Sequence, residues 1–351
     1  MLRSIFLLCN PLESAQEQMA VLEALPIKSG DRVCVVSEYQ LSNCSNIETV
    51  RIRPAFKRFP VLRGFFSPAF AHLMKPQTES QVIFFIHDEI FSTTMIHALF
   101  AKLFMRCRVF VMCMENTRFS WVHKLAGFIF ARFVDCAFCP NQEAIEFVRK
   151  LKVRHVYPCA LPVLDTEERV SSISQVQRIG FVGRLVPQKG LIHFCEAAQD
   201  LADCEFKVFG KGKLESELAN YPVRYCGDYS YTSKDLDRVF SEIDLLVLPS
   251  VTTKTWSEQF GRVLTEAMDR GVLVIGSNSG AIPQVIGSSE LIFKEKDSKA
   301  IIQKIKELKM KTPSELNALA LKLKNRFDQN YSKHVIRRQI QSGIEFLSAK
   351  R

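Results

Sequence analysis

The chain has 351 residues, 47% of them hydrophobic and 24% charged, with 47 Lys+Arg against 37 Asp+Glu and a formal net charge of +10. That length suggests about two domains, each large enough to bury its own core. The composition excludes a disordered or collagen-like chain, and no apolar run approaches the ~18 residues of a membrane span.

The apolar start at residues 5–8 is too short for a secretory signal and lacks a small-residue cleavage site, so a cytosolic location is expected. Short β-rich runs then alternate with helical patterns. In the first half, strands are expected at 4–9, 32–37, 82–87, 108–113 and 134–139, with helices at 92–104 and 142–151. Residues 157–162 form a Pro-bearing exit, and the polar stretch 165–177 reads as an exposed linker. In the second half, strands are expected at 178–182, 205–209, 245–248 and 272–275, and helices at 191–201, 233–241, 258–270 and 298–308. An amphipathic helix closes the chain at 333–349. Alternation of this kind, with near-continuous apolar strands, specifies two α/β units with parallel sheets covered on both faces. The expected division is 1–165, 166–330 and a terminal segment 331–351.

The eleven cysteines are scattered, mostly within strand-like runs, and read as small buried hydrophobes. Cys136 and Cys139 form a C-x-x-C, but no second pair exists to complete a zinc site and no helix opens there. Charge is uneven. Residues 51–132 hold twelve Lys/Arg against four acids, which reads as a site for something anionic: nucleic acid, lipid headgroups or phosphorylated substrates.

Three segments carry chemistry. The densest runs from Trp256 to Met268, after an apolar strand and Pro249-Ser250. A helix opening near Glu258 presents unpaired amides and a positive dipole end to an anion. Glu258 and Glu266, eight residues apart, suit hydroxyls at two ends of an extended ligand, or else form a solvated helix face. The second is Gly180 to Gly190, where Gly183-Arg184 and Lys189-Gly190 suit a diphosphate or form a plain charged loop. Third is Gly210-Lys211-Gly212; Glu215 stands where a dinucleotide fingerprint needs its third glycine. Asp235 and Asp237, in a helical pattern capped by Ser233, read as solvated surface.

In order and spacing these segments resemble the family 4 glycosyltransferases, whose fold is the GT-B type: two doubly wound Rossmann-like domains facing an interdomain cleft. The resembling motifs are G-R-x-x-x-x-K-G, G-x-G and E-x-F-G-x-x-x-x-E-A, with a continuation through residues 271–286. The resemblance spans about residues 179–293. It implies a retaining, metal-independent transfer of sugar from a nucleotide diphosphate donor, UDP foremost, to an acceptor hydroxyl, with no cofactor beyond the donor itself. Arg184 and Lys189 then match the cations on the diphosphate. Glu258 matches the carboxylate on the sugar, and Glu266 the one on the ribose. Gly183, Gly210, Gly212, Gln259, Phe260 and Gly261 complete the donor-binding set.

The first half resembles the family more loosely. His87 and Glu115 follow strands and are candidates for acceptor or sugar contacts. Glu115 stands where many relatives have a histidine, and the loop 10–13 lacks the usual glycine pair. These departures leave a non-catalytic or degenerate sugar-nucleotide-binding subunit as the alternative. Nucleic acid is set aside for want of a recognition helix or aromatic-strand motif. Residues 51–66 mix cations with phenylalanines, which suits an anionic cytoplasmic membrane surface and a glycolipid, lipid-linked or surface-polysaccharide acceptor.

Overall fold

The computed structural model describes residues 3–9, 14–39, 41, 47–51, 81–88, 90–92, 94–105, 107–114, 121–166 and 172–348. The chain divides into two compact units, 1–162 together with 333–351, and 163–332.

The first unit is built on a seven-stranded parallel sheet. Its strands are β1 (Arg3–Leu8), β2 (Arg32–Ser37), β3 (Ile47–Arg51), β4 (Gln81–Ile86), β5 (Arg108–Met112), β6 (Cys136–Cys139) and β7 (His155–Pro158), in the order β3-β2-β1-β4-β5-β6-β7. Helices α1 (Ala15–Ala24), α2 (Met95–Met105), α3 (Trp121–Phe130) and α4 (Gln142–Lys150) connect them. The order reverses at β1. Right-handed crossovers therefore put α1 on one face and α2, α3 and α4 on the other. Caps start the helices: Ser14 and Glu17 form a reciprocal capping box on α1, and Asn141 accepts the Ala144 amide on α4. Phe84, Phe85, Phe110 and Phe138 are fully buried on the sheet, with the Phe85 and Phe138 rings 6.1 Å apart.

The second unit carries a six-stranded parallel sheet. Its strands are β8 (Arg178–Val182), β9 (Glu205–Phe209), β10 (Arg224–Tyr225), β11 (Leu245–Leu248), β12 (Leu273–Ser277) and β13 (Ile292–Phe293), in the order β10-β9-β8-β11-β12-β13. Between and after them lie α5 (Leu191–Gln199), α6 (Ser233–Ser241), α7 (Arg262–Asp269), α8 (Ile282–Ile286), α9 (Ser298–Lys309) and α10 (Pro313–Asn330). The terminal helix α11 (Lys333–Ser348) groups with the first unit. Lys333 meets Glu23 at 2.7 Å, Arg108 donates to the Leu347 carbonyl, and Phe346 packs on His155 and Tyr157.

The structure corrects several readings. Residues 155–158 are an edge strand, so the exit expected at 157–162 begins only after Pro158. Helix α7 begins at Arg262, so Glu258 lies in the preceding loop rather than on the helix. The stretch 165–177 is not wholly exposed: Ile173 and Val176 are buried, and Asn317 bonds both backbone groups of Ile173. The cap of α6 is Thr232, not Ser233. Asp237 is not solvated surface. Its carboxylate lies 2.7 Å from Nε of the fully buried Arg270 and accepts the Thr166 hydroxyl at 2.9 Å. Eight of the ten described cysteines are buried. Burial pushes Cys34 and Cys195 up to about 12 and Cys107 up to about 11, so these thiols stay protonated at neutral pH.

Asp237→Ala strands the Arg270 charge and lowers unfolding free energy by about 3–5 kcal/mol, read by chemical denaturation. Replacing both residues by apolar ones of similar volume restores most of it. A single-variant loss below about 1 kcal/mol would show that Arg270 finds other compensation.

Candidate active site

The turn after β8 and the loop after β9 are knit together by close backbone approach. Gly183 receives no side chain within reach, but a Cβ on Gly210 would stand 2.0 Å from the Gly183 carbonyl oxygen, and one on Gly212 would stand 2.4 Å from that of Leu185. The Leu185 amide donates to the Lys211 carbonyl at 2.9 Å, and the Gly183 amide to Phe209 at 3.0 Å. The two glycine motifs therefore form one layer at the carboxyl ends of β8 and β9, where ligands of open α/β sheets bind. Arg184 is exposed in this layer and makes no ion pair with a described residue. Lys211 is instead paired to Asp228 at 2.5 Å.

A 3₁₀ turn at Pro187–Lys189 leads through Gly190 into α5. Gly190 has φ of 70°, and a Cβ there would lie 1.9 Å from the Pro249 carbonyl oxygen, so only glycine fits. The Val251 amide donates to the Gln188 carbonyl at 2.8 Å and fastens this turn to the end of β11. The contact brings Lys189 to Glu258. Lys189 Nζ is 2.6 Å from Glu258 Oε2, and the buried Ser250 hydroxyl donates to the same oxygen at 2.6 Å. Glu258 is only 5% exposed, and the Trp256 ring lies 5.5 Å from the ammonium. Ser250 is itself held, since its carbonyl accepts the Ser277 hydroxyl at 2.6 Å. The Glu258 carbonyl accepts the Ala281 amide at 2.8 Å, tying the loop to the start of α8.

Gly261 caps α7 with φ of 80°, following the half-buried Gln259 and the buried Phe260, whose ring meets Tyr331 edge-on at 5.8 Å. Glu266, 2% exposed on α7, accepts the Tyr231 hydroxyl at 2.6 Å, and the Arg262 guanidinium stands 5.8 Å from the Tyr231 ring. Ser250, Trp256 and Tyr231 were not singled out by sequence reasoning as site residues. Ser250 and Trp256 flank the recognised motif, whereas Tyr231 arrives from a separate loop that carries no pattern.

In the first unit, His87 is buried at the carboxyl end of β4, its amide bonded to the Leu8 carbonyl at 2.8 Å. Asp88 beside it accepts the Thr94 hydroxyl at 2.8 Å. Glu115, the loop 10–13 and residues 52–66 lie outside the described residues. Among the described residues no group of three or more His, Cys, Asp or Glu is placed to hold a metal ion.

The family profile described as Glycosyl transferases group 1 matches residues 176–310, the stretch that contains all of these second-unit features except Tyr331. By that match, residues 176–310 resemble the group 1 glycosyltransferases. An uncharacterized glycosyltransferase of Methanocaldococcus jannaschii is 32% identical over 137 residues, covering 36% of this chain and 37% of that protein. TuaC of Bacillus subtilis, a putative teichuronic acid biosynthesis glycosyltransferase, is 31% identical over 127 residues, covering 36% of this chain and 31% of its own length. The match thus spans about a third of these curated relatives. Anabaena HepE, solved in complex with UDP, aligns over 99% of this chain and 100% of its own with a TM-score of 0.72 at 16% identity. That likeness establishes the GT-B fold for this chain.

Gly190→Ala is expected to cost about 1–3 kcal/mol more than Gly227→Ala, because both residues have positive φ but only Gly190 abuts backbone. Parallel urea titrations measure the difference. Equal losses would show that the Pro249 contact relaxes freely.

Proposed function

We propose that the protein transfers a sugar, with retention at the anomeric carbon, from a nucleoside diphosphate donor to an acceptor hydroxyl. The observation that carries this is the convergence of Lys189, Ser250 and Glu258 beside the double-glycine layer bearing Arg184. In this reading Arg184 and Lys189 take the diphosphate, Glu258 takes sugar hydroxyls and Glu266 the ribose. The amides near Phe260 and Gly261 line the sugar and phosphate. Fixed cations and amides aimed at a leaving group that gains charge lower the barrier without a nucleophilic carboxylate. The acceptor oxygen bonds to the anomeric carbon on the face from which the diphosphate departs. Its proton passes to a departing phosphate oxygen. No cofactor or metal enters this scheme.

The UDP complex of HepE supports uridine as the nucleotide. The name of TuaC supports a surface-polysaccharide precursor as acceptor. His87 and Glu115 are proposed as acceptor-side contacts. The basic region 51–132 supports a cytoplasmic location with peripheral attachment to an anionic membrane.

Incubation with UDP-sugars and a panel of carbohydrate and glycolipid acceptors tests the assignment. Wild type is expected to transfer sugar or slowly hydrolyse the donor, and Glu258→Gln to lower kcat by about 100-fold or more. Equal behaviour of the two, with no turnover, would instead mark a non-catalytic nucleotide-sugar-binding subunit.

A further inference from the structure

Ten large hydrophobic side chains are exposed among the described residues, and six of them lie on just two helices of the first unit. Single exposed apolar residues are ordinary, but a cluster marks a surface that is covered in use. On α2 the exposed residues are Phe100, Leu103 and Phe104; on α3 they are Trp121, Leu125 and Ile129. Spacings of i, i+3, i+4 and of i, i+4, i+8 put each set on one helical stripe. Both helices connect neighbouring strands in the same direction, so right-handed crossovers set them on the same face of the sheet, where they pack against each other. Phe104 is 70% and Trp121 74% exposed, and the Phe100 and Phe104 rings stack at 6.1 Å.

The charges on these helices decide what covers them. Neither α2 nor α3 contains an acidic residue. Lys102 and Arg108 are consumed by Asp135 within the unit. Lys124, however, is exposed on α3, and Arg132, just beyond it, is exposed with its guanidinium 4.6 Å from the Phe128 ring centre. A two-fold pairing of two copies through this patch would bring it against itself and give these cations no acid on either helix to pair with. An anionic bilayer supplies both needs, an apolar phase for the rings and phosphates for the cations. With 11 and 10 residues the helices are half the length of a membrane span, so they lie on the surface.

We propose that the α2–α3 face, through Phe104, Trp121 and Leu125 with Lys124 and Arg132, is a docking surface for anionic phospholipid bilayers. This deepens the membrane reading above by assigning the contact to a face. It is independent of catalysis, because binding is read with no sugar donor present.

The test is sedimentation of the full chain with vesicles of phosphatidylcholine alone or mixed with phosphatidylglycerol. Wild type is expected to bind the mixed vesicles. Phe104→Ser/Trp121→Ser and Lys124→Glu/Arg132→Glu should each weaken binding by about tenfold or more. A Trp256→Phe chain, in which Trp121 is the one remaining tryptophan, should show Trp121 emission quenched by brominated lipid. That reading holds even if the double-serine variant fails to fold. Unchanged binding by both variants with Trp121 unquenched would overturn this face while leaving membrane attachment standing. No binding by wild type would overturn both. A dimer that disappears in the serine variant, without vesicle binding, would overturn the proposal in favour of self-association.

Discussion

Burying the Glu258 carboxylate is the constraint on which the second unit's loops are organised. A carboxylate 5% exposed is held only if a cation and hydrogen bonds replace the water it gives up. Lys189 and Ser250 supply them on one oxygen, each at 2.6 Å. These groups come from three segments: the turn after β8, the end of β11 and the loop before α7. Their registers must therefore agree. The Gly190–Pro249 approach, the Val251–Gln188 hydrogen bond and the Ala281–Glu258 hydrogen bond enforce that agreement through backbone, which no side-chain flexibility relaxes.

The same pair bears on chemistry. Two groups expected to serve separate parts of a donor are each other's partner. Under the proposed function, an arriving diphosphate competes with Glu258 for Lys189, and a sugar hydroxyl competes with Lys189 for Glu258. The ion pair thus keeps both side chains placed and compensated until the donor takes over each role. This favours preorganisation over rearrangement, since the flanking backbone is already tied down.

Much of this was legible in the residues. Near-continuous apolar runs located the central strands, because parallel sheets bury both faces. Glycine and charge spacing located the loops after β8 and β9. Short edge strands were missed: β3 alternates weakly and β7 carries Pro158, so neither has a core strand's signature. The start of α7 was misplaced because Glu258 resembles an N-terminal acid, whereas Gly261 at positive φ sets the real boundary. Asp237 was misread for a different reason. Its partner Arg270 caps the end of another helix, and long-range pairing leaves no local pattern. Tyr231 escaped notice on the same ground. Helix α3 was not expected at all, and the apolar periodicity that located α2 does not tell a covered stripe from an exposed one.

The central proposal is that Lys189 and Glu258 line the donor site. A crystal structure of the protein with UDP tests it most directly. The account predicts electron density for the diphosphate beside Arg184, with Lys189 Nζ moved from Glu258 onto a phosphate oxygen. UDP bound elsewhere, with the Lys189–Glu258–Ser250 contacts intact, would contradict it.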